Sequence, residues 1–327
     1  MKWDILGHDK AVNHLKRHIE NHSLRHAYLF TGAKGVGKRT LAIRFAQALN
    51  CQAPLHPGEP CLQCRTCQQI AREQYPDLTV VESEEKSSVL HVDQVRELSH
   101  ILALAPYQSQ YRVAVLCNFE KANQSAANAL LKTLEEPPPK AILIVTAPSS
   151  DHLLPTVVSR CELLRLRQVP VLDIEDYLKT SWQVEPKQAA LLAQLSSGCP
   201  GQAITLLQNP QILAQRTTWL DEHLRLLAGT RVYRFEFVDK NYKKDKNYLI
   251  EMIQVWLSFW RDVFLAAGES SAPLVNQDKE EEIRQLAARY KTDVSHQVVS
   301  SLIRSLELLD RNINLRLMLG NLMLDLP

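Results

Sequence analysis

A glycine-rich loop between a strand-like and a helix-like segment constrains the fold of this chain more than any other feature. The apolar run HAYLF leads into TGAKGVG, and the following residues KRTLAIRFAQALN continue with helical spacing. A strand, a G-x-x-x-x-G-K loop and a helix in this order form a cradle of backbone amides that holds phosphate at the helix N-terminus. The loop therefore predicts a parallel α/β fold with a nucleotide site at this connection.

Strand-like and helix-like segments go on alternating to about residue 166. The apolar runs in DLTVVES, YRVAVLCN and KAILIVTAP are typical of buried parallel strands, and the segments VDQVRELSHILAL and QSAANALLKTLEE between them have helical spacing. This alternation predicts an α/β domain over residues 1–166, a parallel sheet with helices on both faces.

Strand signals fade after residue 166, and the remainder of the chain has helical patterns. We expect a small helical lid domain at 167–208 and an all-α domain at 209–327. The most apolar stretch, LIEMIQVWLSFWRDVFLAAG, contains three charges, so we expect the core helix of a bundle and no membrane span. The opening MKWDILGHDK lacks the apolar region of a secretion signal, so we expect a cytoplasmic protein. The net charge of +2 indicates no strong overall field for nucleic acid.

Four of the seven cysteines fall within one short segment with the spacing C-x9-C-x2-C-x2-C. Thiolates at this spacing suit the tetrahedral coordination of Zn²⁺, and four ligands leave no open position for catalysis. The segment therefore predicts one structural zinc per chain within residues 51–67. The alternatives are a set of reduced cysteines without metal and a redox role. The predicted ligands are Cys51, Cys61, Cys64 and Cys67.

The residues that would hold the Mg²⁺ of a hydrolysed nucleotide are replaced. Arg39 stands where the loop would carry Ser or Thr, and Cys117 and Asn118 end the strand where carboxylates are expected. Glu120 comes two positions later, and we expect it to point elsewhere. Thr40 offers a hydroxyl, but its direction on the helix differs from that of position 39 by about 100°.

These replacements predict a loop that binds ATP or ADP weakly and does not hydrolyse it. The amides of the loop and one lysine charge remain available for the phosphates. The candidate residues for this degenerate nucleotide site are Gly32, Gly35, Gly37, Lys38, Arg39, Thr40 and Thr146.

Three longer motifs resemble the bacterial clamp-loader members of the AAA+ family: HAYLFTGAKGVGKRTLA, ANALLKTLEEPP and LLPTVVSRC. The cysteine segment is similar to the zinc module of that group. The resemblance covers residues 1 to about 208, and LDRNINLRLMLGNLMLDL near the end is similar to the helical collar domain of the family. The family contains motor subunits that hydrolyse ATP and a related subunit with a decayed site. Arg39 and the missing carboxylates resemble the latter.

The resemblance implies roles for three further residues. Arg160, between Ser159 and Cys161, matches an arginine that reaches into the ATP site of the neighbouring subunit. Thr146 matches the sensor residue that follows the fourth strand. Gly201 stands where an active subunit would carry an arginine. Without the resemblance, Arg160 is a surface or salt-bridged arginine and Thr146 an ordinary threonine at the end of a strand.

The resemblance therefore implies a stator, a subunit that does not hydrolyse ATP and completes a ring of five AAA+ subunits. Its implied partners are motor subunits, a wrench-type subunit and, through the complex, the sliding clamp and primer–template DNA in DNA replication. One alternative is a true ATPase that uses Thr40 and Glu120. The other is a zinc-dependent nucleic-acid-binding module, although its cysteine cluster contains Arg65 as its only basic residue and has no aromatic residue for base stacking.

Overall fold

Five parallel strands form the central sheet in the computed structural model, which describes residues 3–82, 89–309, 311 and 313–327. The strand order is β2-β3-β4-β1-β5, and neighbouring strands are parallel throughout. β1, β3 and β4 are buried along their whole length, as their continuous apolar runs predict. The strands are β1 (Ala27–Thr31), β2 (Leu78–Val81), β3 (Arg112–Leu116), β4 (Ala141–Ala147) and β5 (Glu162–Arg165).

The helices of this part of the chain cover both faces of the sheet. They are α1 (Asp9–Glu20), α2 (Lys38–Asn50), α3 (Arg65–Ala71), α4 (Val92–Ala103), α5 (Gln124–Glu135), α6 (Pro155–Val158) and α7 (Val171–Ser181). Side chains alternate across a strand, so Tyr28 packs on one face in a cluster with residues of α1, α2 and α3. Leu29 packs on the other face in a cluster with residues of α4, α5 and α6. The predicted fold class is confirmed.

The remaining helices form an all-α region. They are α8 (Pro186–Leu195), α9 (Pro200–Gln208), α10 (Pro210–Ala228), α11 (Arg231–Asn241), α12 (Lys246–Ala267), α13 (Glu280–Arg289), α14 (Thr292–Leu309) and α15 (Leu315–Asp325). α12 packs against α10, α13 and α14, and its Trp256, Phe259 and Trp260 are fully buried. It is the core helix that the sequence predicts. Among the residues that the structure describes, no helix has the length and apolar character needed to cross a membrane.

The chain divides into two compact units. The sheet unit comprises Met1–Trp182 with Gly198–Gln202, and the helical unit comprises Gln183–Ser197 with Ala203–Pro327. The start of α9 thus belongs to the sheet unit, and the remainder of that helix to the helical unit. The finer division at residues 166 and 208 into sheet, lid and collar domains stays a prediction.

A buried carboxylate orders the loop that enters β3. Asp77 is fully buried, and it accepts hydrogen bonds from the amides of Tyr107 and Gln108 at 2.7 and 2.9 Å. The hydroxyl of Ser109 donates to it at 2.7 Å, and the guanidinium of Arg112 at 3.0 Å. Burial alone would raise the pKa of Asp77, but these hydrogen bonds and the charge of Arg112 outweigh it and hold the pKa below its usual value.

We expect Asp77→Asn to lower the free energy of unfolding at pH 7 by about 1–3 kcal/mol, because an amide NH₂ would then face buried donors. The depressed pKa means that the carboxylate's contribution is fully present above about pH 4 and is lost as the pH falls through the folded-state pKa. The difference between parent and variant in urea unfolding should therefore narrow below pH 4. Asp93→Asn, at a side chain that is 88% exposed, is the matched control. Equal stability of parent and Asp77→Asn at pH 7 would contradict this account.

Candidate functional site

The loop between β1 and α2 has the backbone geometry of a phosphate-binding cradle. Gly32 and Gly35 have φ angles of +152° and +79°, in the region that side chains rarely adopt. A Cβ atom on Gly32 would lie 2.5 Å from the carbonyl oxygen of Leu166, which follows β5. The loop therefore requires glycine because the backbone of a neighbouring segment passes directly against it.

The first turn of α9 contacts the same loop. The amide of Gly201 donates to the carbonyl oxygen of Gly35 at 2.8 Å, and a Cβ atom on Gly201 would lie 2.9 Å from that oxygen. An arginine at position 201, which the resemblance assigns to an active subunit, would force these two segments apart. The glycine thus allows a close backbone contact in place of a phosphate-binding side chain.

The lysine of the loop is held against its own backbone. The Lys38 ammonium donates to the carbonyl oxygens of Gly32 and Ala33 at 2.6 and 3.0 Å. Burial lowers the pKa of Lys38, and the negative charge of Glu120 opposes that shift. A phosphate would have to draw the ammonium away from these carbonyl oxygens.

Glu120 lies in a turn after β3, and the expectation that it points elsewhere stays a prediction. Asn118 adopts a left-handed conformation with φ of +54° and starts a single 3₁₀ turn at Phe119–Lys121. One carboxylate oxygen of Glu120 is buried, and it has no hydrogen-bond partner among the residues that the structure describes. The negative charge of this carboxylate opposes the lowering of the Lys38 pKa, although Glu120 is not at the end of β3.

Arg39, at the loop position where Ser or Thr is expected, forms an ion pair. Its guanidinium lies 2.6 and 2.8 Å from the two carboxylate oxygens of Glu73, which follows α3. Burial raises the pKa of the Cys117 thiol to about 11, and the charge of Arg39 opposes that rise. The charge at one replaced position thus acts on the other, and Thr40 is exposed on α2.

Thr146 joins the ends of two strands. Its side chain is buried in β4, and its hydroxyl oxygen accepts from the amide of Asn118 at 3.0 Å. The side-chain amide of Asn118 in turn donates to Glu82 at 2.9 Å. The threonine therefore lies at the carboxyl edge of the sheet, beside the turn that carries Glu120. Its sensor role stays a prediction.

Arg160 links two of the motifs that carry the family resemblance. It follows the short helix α6, and its guanidinium lies 2.8 Å from a carboxylate oxygen of Glu135 at the end of α5. The same guanidinium donates to the carbonyl oxygen of Thr156 at 2.9 Å. The Arg160 side chain is 36% exposed. It is therefore positioned by a local ion pair and remains accessible from solvent.

The four clustered cysteines converge as the spacing predicts. One sulfur from each lies within 4.8 Å of the others, and the sulfurs of Cys51 and Cys61 are 3.5 Å apart. A regular tetrahedron with Zn–S bonds of about 2.3 Å requires sulfur–sulfur distances of about 3.8 Å. The amides of Cys61, Cys64 and Cys67 donate to cluster sulfurs at 3.3, 3.2 and 3.4 Å, an arrangement that favours thiolates. The four side chains fit one zinc ion.

Burial and hydrogen bonding act in opposite directions on these thiols. Burial raises the pKa of Cys51 and of Cys67. It also opposes the ionisation of Cys64, but hydrogen bonds from the amides of Cys67 and Gln52 outweigh it and lower that pKa to about 6. Cys64 is therefore the thiolate most readily available to a metal ion at neutral pH.

Contacts from Trp3, α1 and α2 anchor the cysteine segment. The indole of Trp3 donates to the carbonyl oxygen of Gly58 at 3.0 Å, and Lys16 of α1 pairs with the buried Glu59. The side-chain amide of Gln47 in α2 donates to the carbonyl oxygen of Cys67 at 2.7 Å. The segment is thus attached to the sheet unit by contacts that do not depend on a metal ion.

Comparison with known proteins assigns the family. A family model described as DNA polymerase III, delta subunit, matches residues 7–170, and a model of the C-terminal part of the delta subunit matches residues 210–327. The chain belongs to the DNA polymerase III delta-subunit family. The resemblance to clamp-loader proteins is thereby confirmed at the level of the family.

Curated relatives of this delta-family chain agree with that assignment. It is 28% identical over 322 residues to the delta prime subunit of DNA polymerase III from Bacillus subtilis, covering 97% of this chain and 95% of the relative. The delta prime subunit from Pseudomonas aeruginosa is 42% identical over 136 residues, 42% of this chain and 41% of the relative. The tau subunit from Bacillus subtilis is 30% identical over 216 residues, 62% of this chain and 36% of the relative.

Sequence reasoning missed two partners in this delta-family site. Glu73 binds Arg39, and Glu135 binds Arg160, and each pair joins separate elements of the fold. Glu135 lies inside the quoted motif ANALLKTLEEPP, so a family resemblance could have pointed to it. Nothing in the sequence pairs Glu73 with Arg39, because the two lie on opposite sides of the cysteine segment.

We expect the purified chain to contain one zinc ion, and Cys64→Ser to weaken its retention at least tenfold, since a serine hydroxyl is a poorer zinc ligand than a thiolate. The measurement is elemental analysis combined with competition against a metal chelator. Cys161→Ser is the control, because Cys161 lies outside the cluster. A Cys64→Ser chain that retains zinc as tightly as the parent would rule out the four-cysteine site.

Proposed function

We propose that the chain is a clamp-loader subunit that does not hydrolyse ATP and that supplies Arg160 to the ATP site of a neighbouring AAA+ subunit. The observation that carries this proposal is the ion pair of Arg39 with Glu73, at the position where the loop would carry Ser or Thr. A guanidinium occupies the position from which a hydroxyl and strand-end carboxylates would hold Mg²⁺. A cation bound there repels the metal that hydrolysis requires.

The nucleotide loop has a structural role in this proposal. Lys38 is satisfied by two carbonyl oxygens of its own loop, and Gly201 packs on Gly35. Both contacts hold the loop without phosphate. These contacts are compatible with weak binding of ATP or ADP through the loop amides. A bound phosphate would then have to draw Lys38 away from its two carbonyl oxygens.

Arg160 is suited to act on a neighbouring subunit. Its guanidinium carries a permanent charge in a planar fork that matches phosphate oxygens, and its present partner is the half-exposed Glu135. An exposed ion pair of this kind is worth about 0–1 kcal/mol, so a phosphate group can replace the carboxylate at little cost. An arginine supplied in this way increases phosphoryl-transfer turnover by about 10³–10⁵.

The proposed partners follow from the family. The similarity to delta prime and tau subunits supports a ring of five AAA+ subunits in which motor subunits hydrolyse ATP and a delta-type wrench subunit opens the sliding clamp. This chain would complete the ring as its stator. The assembled machine would place the clamp on primer–template DNA during replication, with zinc bracing the segment that follows α2.

A second candidate function rests on Glu120. Its carboxylate interacts with the charge of Lys38 and has a buried oxygen without a hydrogen-bond partner among the described residues. A true ATPase would use this carboxylate and the Thr40 hydroxyl to hold the metal. Against it, Thr40 is exposed and the guanidinium of Arg39 is held in an ion pair with Glu73.

We expect no ATPase activity above background from the isolated chain, and Arg39→Thr alone should not create it, because the strand-end carboxylates are still missing. Steady-state phosphate release measures this. Residual nucleotide binding, followed with a fluorescent ATP analogue, should be lost in Lys38→Ala. Robust hydrolysis by the parent that is abolished in both Lys38→Ala and Glu120→Gln would establish the second candidate instead.

In reconstituted clamp loaders we expect Arg160→Ala to preserve ring assembly and zinc content and to lower clamp- and DNA-stimulated ATPase activity. Turnover at the ATP site that Arg160 serves should fall by a factor approaching the 10³–10⁵ typical of such arginines. The total ATPase activity of the ring should fall only partly unless its ATP sites hydrolyse cooperatively. Arg160→Lys should also fail, because an ammonium keeps the charge and loses the fork.

Glu135→Gln is the matched control for this experiment. It removes the ion pair that holds Arg160 in the isolated chain but leaves the guanidinium available, so we expect clamp loading within a few-fold of the parental rate. If rings that carry Arg160→Ala hydrolyse ATP and load clamps as fast as the parent, the trans role of Arg160 is wrong.

A further inference from the structure

Two histidines and a glutamate outside the cysteine segment converge at one place in the sheet unit. His14 and His18 are four residues apart in α1, so they lie on the same face of the helix. Glu162 is the first residue of β5. A ring nitrogen of each histidine and a carboxylate oxygen of Glu162 lie within 4.8 Å of one another. Neither the nucleotide loop nor the zinc segment includes any of the three.

Two of the three donor atoms already lie close together. The Nε2 atom of His14 lies 3.1 Å from a carboxylate oxygen of Glu162, and the two imidazole rings have centroids 4.3 Å apart. A tetrahedral ion with bonds of about 2.0–2.1 Å needs donor separations of about 3.4 Å. The first pair already meets this distance, and the third donor, which lies within 4.8 Å of the other two, has to move by about 1.4 Å at most.

The other side of His18 is fixed by a hydrogen bond. Its Nδ1 atom lies 3.0 Å from the hydroxyl oxygen of Tyr28, which also accepts from the amide of Arg25 at 3.0 Å. In the tautomer that carries its proton on Nδ1, His18 donates to this hydroxyl oxygen, and Nε2 is then the ring atom left for a metal ion.

We propose that His14, His18 and Glu162 form a second metal site, which binds a divalent ion of the zinc class such as Zn²⁺, Ni²⁺ or Co²⁺. Two imidazoles and one carboxylate match the donor preference of these ions, whereas Mg²⁺ and Ca²⁺ prefer oxygen alone. The side chains of His14 and Glu162 are 43% and 33% exposed, so an ion can enter from solvent and keep water as a further ligand.

The ion would compete with a local arginine and would join two elements. The Arg25 guanidinium lies 4.0 Å from the second oxygen of Glu162, but its side chain is 67% exposed and can move away. A bound ion would clip α1 to the start of β5. Glu162 is two residues after Arg160, so the clip would fix the strand that follows the arginine. Without an ion, the three side chains form an ordinary histidine–carboxylate contact.

The test uses the full chain, free of any histidine tag and already carrying zinc in the cysteine segment. Titration with Ni²⁺ in a calorimeter should show one saturable site per chain without release of zinc. His14→Gln and His18→Gln should each weaken that binding at least tenfold, and Glu162→Gln should also weaken it. Far-UV circular dichroism and zinc content check that each variant is folded.

His22→Gln is the matched control, since His22 is exposed just beyond α1 and is not part of the cluster. Ni²⁺ should also raise the melting temperature of the parent and of this control, and not of His14→Gln, because an ion that binds only the folded state stabilises it. The proposal is overturned if the parent shows no saturable nickel binding. It is equally overturned if nickel binds the histidine variants as tightly as the parent. The same holds if each nickel ion bound releases one zinc ion from the cysteines.

Discussion

Close backbone contacts around the loop between β1 and α2 determine what the nucleotide site can do. The carbonyl oxygen of Leu166 packs against Gly32, and the start of α9 packs against Gly35. Both contacts require glycines and hold the loop in a phosphate-binding shape with Lys38 folded onto its own carbonyl oxygens. The shape of the cradle therefore comes from backbone packing, which explains how it persists where the groups for magnesium are replaced.

The cysteine segment and the nucleotide loop are physically connected. The segment runs through α3 to Glu73, and Glu73 holds Arg39 at the start of α2. The charge of Arg39 in turn opposes the raised pKa of Cys117, which follows β3. A zinc ion in this segment would thus stabilise the ion pair between Glu73 and Arg39. Arg160, by contrast, is partly exposed and paired only with nearby residues, as a residue that serves a neighbour needs to be.

The sequence predicts the features that depend on local patterns. Apolar runs specify the strands, helical spacing specifies α2, α4 and α5, and the C-x2-C steps bring the cysteines together. It fails where the direction of a side chain depends on a turn or on distant residues. The turn that carries Glu120 starts at Asn118 in a left-handed conformation, which no propensity requires. His14 meets Glu162 across 148 residues, a contact that no local sequence pattern specifies.

The central claim is that this chain contributes an arginine, and no hydrolysis, to a ring of ATPases. The most direct measurement compares two variants of this one chain in the same reconstituted loader, by counting ATP molecules hydrolysed in a single round of clamp loading. We expect rings with Lys38→Ala to hydrolyse as much ATP as parental rings, and rings with Arg160→Ala to hydrolyse less. Rings in which Lys38→Ala removes hydrolysis while Arg160→Ala leaves it unchanged would contradict the claim.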